Sequence, residues 1–238
     1  NTWIAMTFDL TSIKKFLVNV LIPNHHVPKT RWTADNLWDL SFIRVLFLTV
    51  GIVLLGVGSS FTVQSGLGNA PWTVFAEGLS IQSGLSIGTA FFLSSCLVLL
   101  LWIPLAIKPG FGTIANATYF AIVLDWALGW IESPAGQALD YLMLLAGIAC
   151  VGLGSAIYMT CGLGGGPRDG LLMGLIKRTG VRIIYIKTSM DGTALLIGFL
   201  LGGTVGVGTV LSVVLYSWSV ALFMTFVAQF APTKESSL

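Results

Sequence analysis

The sequence predicts an all-α polytopic membrane protein. Its six transmembrane helices are expected as two inverted three-helix repeats, each with an additional short helix after a Gly-rich loop. Three observations lead there. Hydrophobic residues make up 55% of the chain and charged residues only 9%, with a mean hydropathy of +0.89, far from the roughly 25% charged residues of soluble domains. Several apolar runs reach the roughly 17–25 residues that cross a bilayer as a helix. The chain also aligns with itself, without a gap, at a shift of 96 positions that carries Gly66 onto Gly162. A net charge of +2 is too small to suggest nucleic acid as a partner.

Residues 1–42 are the least apolar section. Ile4, Phe8, Ile13, Phe16, Leu17 and Val20 are interleaved with Asp9, Lys14 and Lys15. That spacing suits an amphipathic helix on a membrane surface, or one docked on the protein or a partner. Pro23, Asn24, His25 and His26 break the pattern. With no Cys, Glu or third His beside them, the two histidines read as a solvated turn rather than a metal site. No apolar core followed by a small-residue cleavage site is present, so no signal peptide is expected. Cys96, Cys150 and Cys161 lie in or beside apolar runs and read as packing residues.

Spans are predicted at residues 42–64, 87–107, 113–131, 142–159, 188–205 and 207–230. The last two are so close that they must form a tight hairpin. Lys14, Lys15, Lys29, Arg31 and Arg44 lie before or at the start of the first span. Lys108 lies between the second and third, and Arg168, Lys177, Arg178, Arg182 and Lys187 between the fourth and fifth; Lys234 follows the sixth. Cytoplasmic loops carry the excess of Lys and Arg, so both termini are expected inside. The chain then divides into an N-terminal interfacial segment (1–42), two membrane repeats (43–135 and 136–231) and a cytoplasmic tail (232–238).

The self-alignment matches Gly51, Gly56, Gly58 and Ser59 to Gly147, Gly152, Gly154 and Ser155. It matches Gly66, Leu67, Gly68 and Pro71 to Gly162, Leu163, Gly164 and Pro167, and Gly110, Gly112 and Thr113 to Gly206, Gly208 and Thr209. Apolar sequences align by chance, but ungapped Gly and Pro matches point to duplication. Three spans per repeat make the second copy enter from the opposite side, an inverted topology found in many secondary transporters.

Each repeat also contains a short helix, Pro71–Ser83 and Pro167–Thr179, with Pro in the first turn where its missing N–H costs nothing. The free N–H groups of the Gly164–Gly166 loop and the helix start suit an anion or carboxylate, and Asp169 is placed to cap the same groups itself. The inner short helix also suits the membrane interface, with Leu171, Leu172, Leu175 and Ile176 toward lipid. The spacing of Gly162, Gly166, Gly170 and Gly174 instead suits close helix packing.

The segments GLGNAPWTVFAEGLS, PGFGT, GLGGGPRDGLLMGLIKRTG and LLGGTVGVGT resemble the YczE/YyaS/YitT family of bacterial integral membrane proteins. The resemblance spans most of the membrane part and implies a bacterial inner-membrane protein of about six spans, without naming a substrate. Family members tend to carry Arg and Glu before the LLGG segment, where this chain has Lys187 and Asp191. The Asp often seen after the first GPW is Thr73 here.

Ionisable residues inside spans are costly and are functional candidates by default. Gly164, Gly165, Gly166, Pro167, Arg168, Asp169, Asn116, Lys187 and Asp191 form the candidate substrate site, with a structural ion-pair network as the competing reading. Glu77 and Asp125, without a nearby cation, are proton-coupling candidates provided that they approach each other. No nucleophile elbow, HExxH or phosphate-loop motif occurs, so neither an enzyme nor a cofactor or metal is expected. The functional expectation is a transporter or permease for a small anionic or zwitterionic solute. The alternative is a non-transporting accessory subunit of a larger membrane protein complex. The lipid bilayer is the expected partner in either case.

Overall fold

The computed structural model describes residues 27–230. The interfacial helix expected within residues 3–22, the His25–His26 turn, Lys14, Lys15, Lys234 and the tail 232–238 lie outside the described residues. Within them the chain forms eight helices and no strand. They are α1 (Phe42–Gln64), α2 (Pro71–Ser83), α3 (Ile87–Leu100), α4 (Phe111–Trp130), α5 (Gln137–Thr160), α6 (Pro167–Thr179), α7 (Ile183–Leu200) and α8 (Val207–Phe230).

Helix ends follow local chemistry. The Ser41 hydroxyl accepts the Arg44 N–H at the start of α1, satisfying one of the free donors of a first turn. Pro71 and Pro167 begin α2 and α6. Both short helices close on a glycine in the left-handed conformation, Gly84 at φ 73° and Gly180 at φ 68°. A Cβ is penalised there, and the two stops lie 96 residues apart like the two starts.

Five helices are long and apolar enough to cross a membrane: α1, α4, α5, α7 and α8. A sixth crossing would combine α2 and α3, which meet at 112°. This corrects the span expected at 87–107. At 14 residues, α3 is only about 21 Å long at 1.5 Å per residue, short of a hydrocarbon core of about 30 Å. Residues 101–106 leave the helix in successive turns, with Ala106 at φ 52° and the Trp102 indole donating to the Pro167 carbonyl at 2.9 Å. Helix α7 runs from Ile183 rather than from 188. It stops at Leu200 because Gly202, at φ 98°, turns the chain toward α8.

The core is the crossing of α1 and α5. A Cβ on Gly51 would stand 2.9 Å from the Gly154 carbonyl oxygen, and one on Gly147 2.7 Å from that of Gly58. Without a hydrophobic drive between helices in lipid, such close small-residue contact supplies the packing energy. Helix α4 packs on α1 and α8 on α5. The short helices cross between the halves, α2 lying along α7 and α6 against α3. Helix α3 packs along α4, whereas α7 does not pack along α8.

Candidate functional site

The loops before α2 and α6 are held in matching ways. The Gly208 N–H donates to the Leu67 carbonyl at 2.7 Å, and the Gly112 N–H to the Leu163 carbonyl at 2.8 Å. At the inner loop the Thr113 hydroxyl also donates to the Gly165 carbonyl at 2.8 Å and the Tyr158 hydroxyl to the Gly164 carbonyl at 2.9 Å. Gly164 has φ 111°, a conformation that leaves its carbonyl turned toward Tyr158 and that favours glycine. Gly164, Gly165 and Pro167 thus present carbonyls to protein donors, which fixes the start of α6.

Arg168 is the first charged side chain of α6. Its guanidinium carbon lies 4.0 Å from the Phe91 ring centroid and 4.8 Å from that of Trp72. Its Nη2 is sealed from solvent with no hydrogen-bond partner. The ion pairs among the described residues, Arg44–Asp39 and Lys187–Asp191, do not include it. Burial pulls the Arg168 guanidinium down to about 10, against the raising influence of Asp169, so it is charged at neutral pH. Taking a cation out of water costs several kcal/mol; the nearby charges of Asp169 and Asp191 offset part of that, and cation–π contacts about 2 kcal/mol.

Asp169 turns its carboxylate back on the Gly166 backbone, whose Cα substituent position lies 3.2 Å from Asp169 Oδ2 and 3.3 Å from Asn116 Oδ1. The α6 N-terminus is therefore capped from within. Enclosure by protein pushes the Asp169 carboxyl up, opposed first by Arg168 and then by Lys187; the residue nevertheless keeps an exposed face. Asp191 accepts from Lys187 Nζ at 2.6 Å and from the Trp72 indole at 3.0 Å. That second bond ties the ring under Arg168 to α7.

Structure brings Asn116, Gly166, Arg168 and Asp169 together and joins Lys187–Asp191 to them through Trp72. It leaves Glu77 and Asp125 apart in role. Glu77 accepts from the Thr204 hydroxyl at 2.6 Å, the Thr204 N–H at 2.9 Å and Asn69 Nδ2 at 3.1 Å, pinning the α7–α8 turn to α2. Asp125 accepts from the Ser86 hydroxyl at 2.5 Å and the Gly88 N–H at 2.6 Å, holding the start of α3 on α4. Trp72 and Phe91 were not read from the sequence as part of the site. The repeat shift does pair Trp72 with Arg168.

A groove-like cavity of about 460 Å³, open to the protein surface at Leu101, Pro104, Ser189 and Ile197, lies between the two halves. Its walls are Trp72 and Phe75 of α2, Leu171 and Leu175 of α6, Met190, Ala194 and Ile197 of α7, and Leu101 and Leu105 beyond α3. Only Ser189 and Thr193 add polar side chains.

Residues 42–225 match the family of unknown function DUF6198. The chain belongs to this family. An uncharacterized protein of Haemophilus influenzae is 38% identical over 203 residues, covering 85% of this chain and 93% of the relative. The uncharacterized membrane protein YczE of Bacillus subtilis is 26% identical over 73% of this chain and 81% of its own length. YyaS of the same organism is 30% identical, over 78% and 94%. The resemblance to the YczE and YyaS proteins is thereby shown, and with it a membrane protein in contact with lipid. No solved structure matches.

Proposed function

We propose that this chain is a bacterial inner-membrane transporter or permease for a small anionic or zwitterionic solute, with both termini cytoplasmic. It would work by alternating access between two inverted three-helix repeats. The observation that carries the proposal is Arg168: a charged guanidinium between Trp72 and Phe91, whose sealed Nη2 has no hydrogen-bond partner. An ionisable group enclosed in a membrane protein is a functional-site candidate by default, and a donor nitrogen left without a partner suits an anionic group. Arg168 is the binding group, Asn116 and the Gly164–Asp169 segment shape its surroundings, and Lys187–Asp191 orients Trp72.

The inverted repeat is supported by contacts that recur under the 96-residue shift. Gly51 on Gly154 corresponds to Gly147 on Gly58, Gly68 on Gly206 to Gly164 on Gly110, and Gly56 on Val123 to Gly152 on Ser219. The first two contacts cross between the halves and the third recurs within each half, as a twofold relation requires; the alternation of charge along the sequence supports an axis in the membrane plane. A role as an accessory subunit is the second reading, favoured by α7 and α8, which each pack chiefly on one neighbouring helix and leave most of their spans unburied.

The test uses purified protein in phosphatidylcholine nanodiscs and a panel of acetate, phosphate and glycine at matched ionic strength. At least one probe is expected to raise the thermal midpoint of the wild type and to leave Arg168→Ala unmoved. The same probe should be taken up by proteoliposomes of the wild type alone. Equal shifts in Arg168→Ala would remove Arg168 as the binding group, and binding without uptake would favour the subunit.

A further inference from the structure

The apolar cavity and the unpaired guanidinium are neighbours. Trp72 belongs to both, lining the cavity and lying under Arg168. On α6, Arg168, Leu171 and Leu175 stand at i, i+3 and i+7, which places them on one face of the helix, and the two leucines are cavity wall. On α7, cavity-lining Met190 precedes Asp191, the acceptor of the Trp72 indole. One side chain therefore separates a buried positive charge from an apolar space with no charged wall residue. At about 460 Å³, the space falls within the roughly 300–1,000 Å³ typical of small-ligand sites. At its rim Leu101 and Ile197 are 53% and 42% exposed, so the space communicates with the lipid-facing surface.

Resting on the reading of Arg168 as an anion site, we propose that the solute is a single-chain amphiphilic carboxylate. Its headgroup pairs with Arg168, its alkyl chain fills the cavity, and Trp72 is the divider that swings to join the two compartments. A small hydrophilic anion leaves the cavity empty, and an amphiphile with one chain is the smallest solute that meets both the charge and the apolar walls. The single charge satisfies the orphan Nη2, while the alkyl chain meets walls with which a polar solute has no hydrogen bonds to make.

The experiment measures binding of acetate, butanoate, hexanoate and octanoate to full-length protein in phosphatidylcholine nanodiscs. Free aqueous ligand is fixed by dialysis against protein-free discs. Wild type is expected to gain affinity by roughly fourfold per methylene, the equivalent of about 0.8 kcal/mol of transfer free energy, until the cavity is full. Arg168→Ala should abolish the series. Ala194→Trp, which fills the cavity, should leave acetate binding intact and remove the chain-length gain; Met190→Trp serves if the first variant does not elute as a single species. Acetate binding with no chain-length gain, or a gain unchanged in both Trp variants, overturns this proposal while leaving Arg168 as an anion site. No binding by any member of the acetate-to-octanoate series overturns it, while phosphate or glycine binding in the earlier panel would keep Arg168. Loss of the octanoate gain only in phosphatidylglycerol discs assigns the cavity to a resident lipid and overturns it too.

Discussion

At the scale of single residues, the first turn of α6 holds two opposite charges with different fates. Asp169 has a protein amide to cap and a solvent-exposed face; Arg168 has two aromatic faces and a sealed Nη2 without an acceptor. Asp169 remains shifted up even after the pull of Arg168, which means that ionising it opposes folding. Its contribution to stability is fully present below the unfolded carboxyl pKa of about 4 and is lost as pH rises through the folded value. Asp169 stands three residues after the N-cap Gly166, where an amide oxygen can accept from the same backbone N–H without the charge, so Asp169→Asn is expected to match or slightly exceed the wild-type thermal midpoint at pH 7. Any excess should vanish below about pH 4, and a large loss at pH 7 would show that the charge itself holds the loop. The charge of Arg168 was legible in the sequence because an arginine at a helix start after glycines has few bland uses. Its aromatic bed was not, since Phe91 and Trp72 sit on different helices and their rotamers follow from packing that no periodicity encodes.

At the scale of elements, both short helices follow the sequence to the residue, Pro71–Ser83 and Pro167–Thr179, because Pro starts and left-handed Gly stops are local chemistry. The end of α3 was misread because hydropathy continues where tertiary contact ends the helix. The start of α7 was set too late, at the polar boundary of Lys187, although the largely exposed Ile183–Ile186 turn is already helical. Trp102 illustrates the first. Its position corresponds under the repeat to Gly198, and its contact Gly170 corresponds to Val74. Thus α7 brings a glycine to a valine of α2, whereas the chain after α3 brings a tryptophan to a glycine of α6. Volume is conserved while its owner is exchanged. Gly170→Val alone should clash with the Trp102 indole and destabilise by about 1–3 kcal/mol, the usual range for overpacking. Adding Trp102→Gly should recover part of that loss, since it recreates the Val74–Gly198 arrangement. Purely additive losses in thermal midpoint would show that the two contacts are unrelated.

At the scale of the whole molecule, the proposed twofold relation holds in the α1–α5 core and is broken most plainly at α3 and α7. Helix α3 packs along α4, yet α7, its counterpart, stands away from α8. Gly88 sits against Ala121 and Asp125, while the matching positions Ile184 and Ser217 are both exposed. Sequence reinforces the difference: Ser86 and Gly88 are latched by Asp125, but Arg182, Ile184 and Ala221 occupy the equivalent places. Alternating access between inverted repeats demands a second state in which the two halves exchange arrangements, closing α7 on α8 and releasing α3 from α4. A chain lacking Cys96, Cys150 and Cys161 and carrying Ile184→Cys with Ser217→Cys reports that state as an intramolecular disulfide. The cross-link should form slowly in this background and faster once Asp125→Ala removes the latch, because the ligand-free equilibrium is then biased toward the released α3. A probe that binds Arg168 should change the rate in either background, since binding to one state better than the other is the only way it can shift the population. If no cross-link forms in any background, α7 and α8 do not meet, and the asymmetry belongs to a static protein rather than to one phase of a transport cycle.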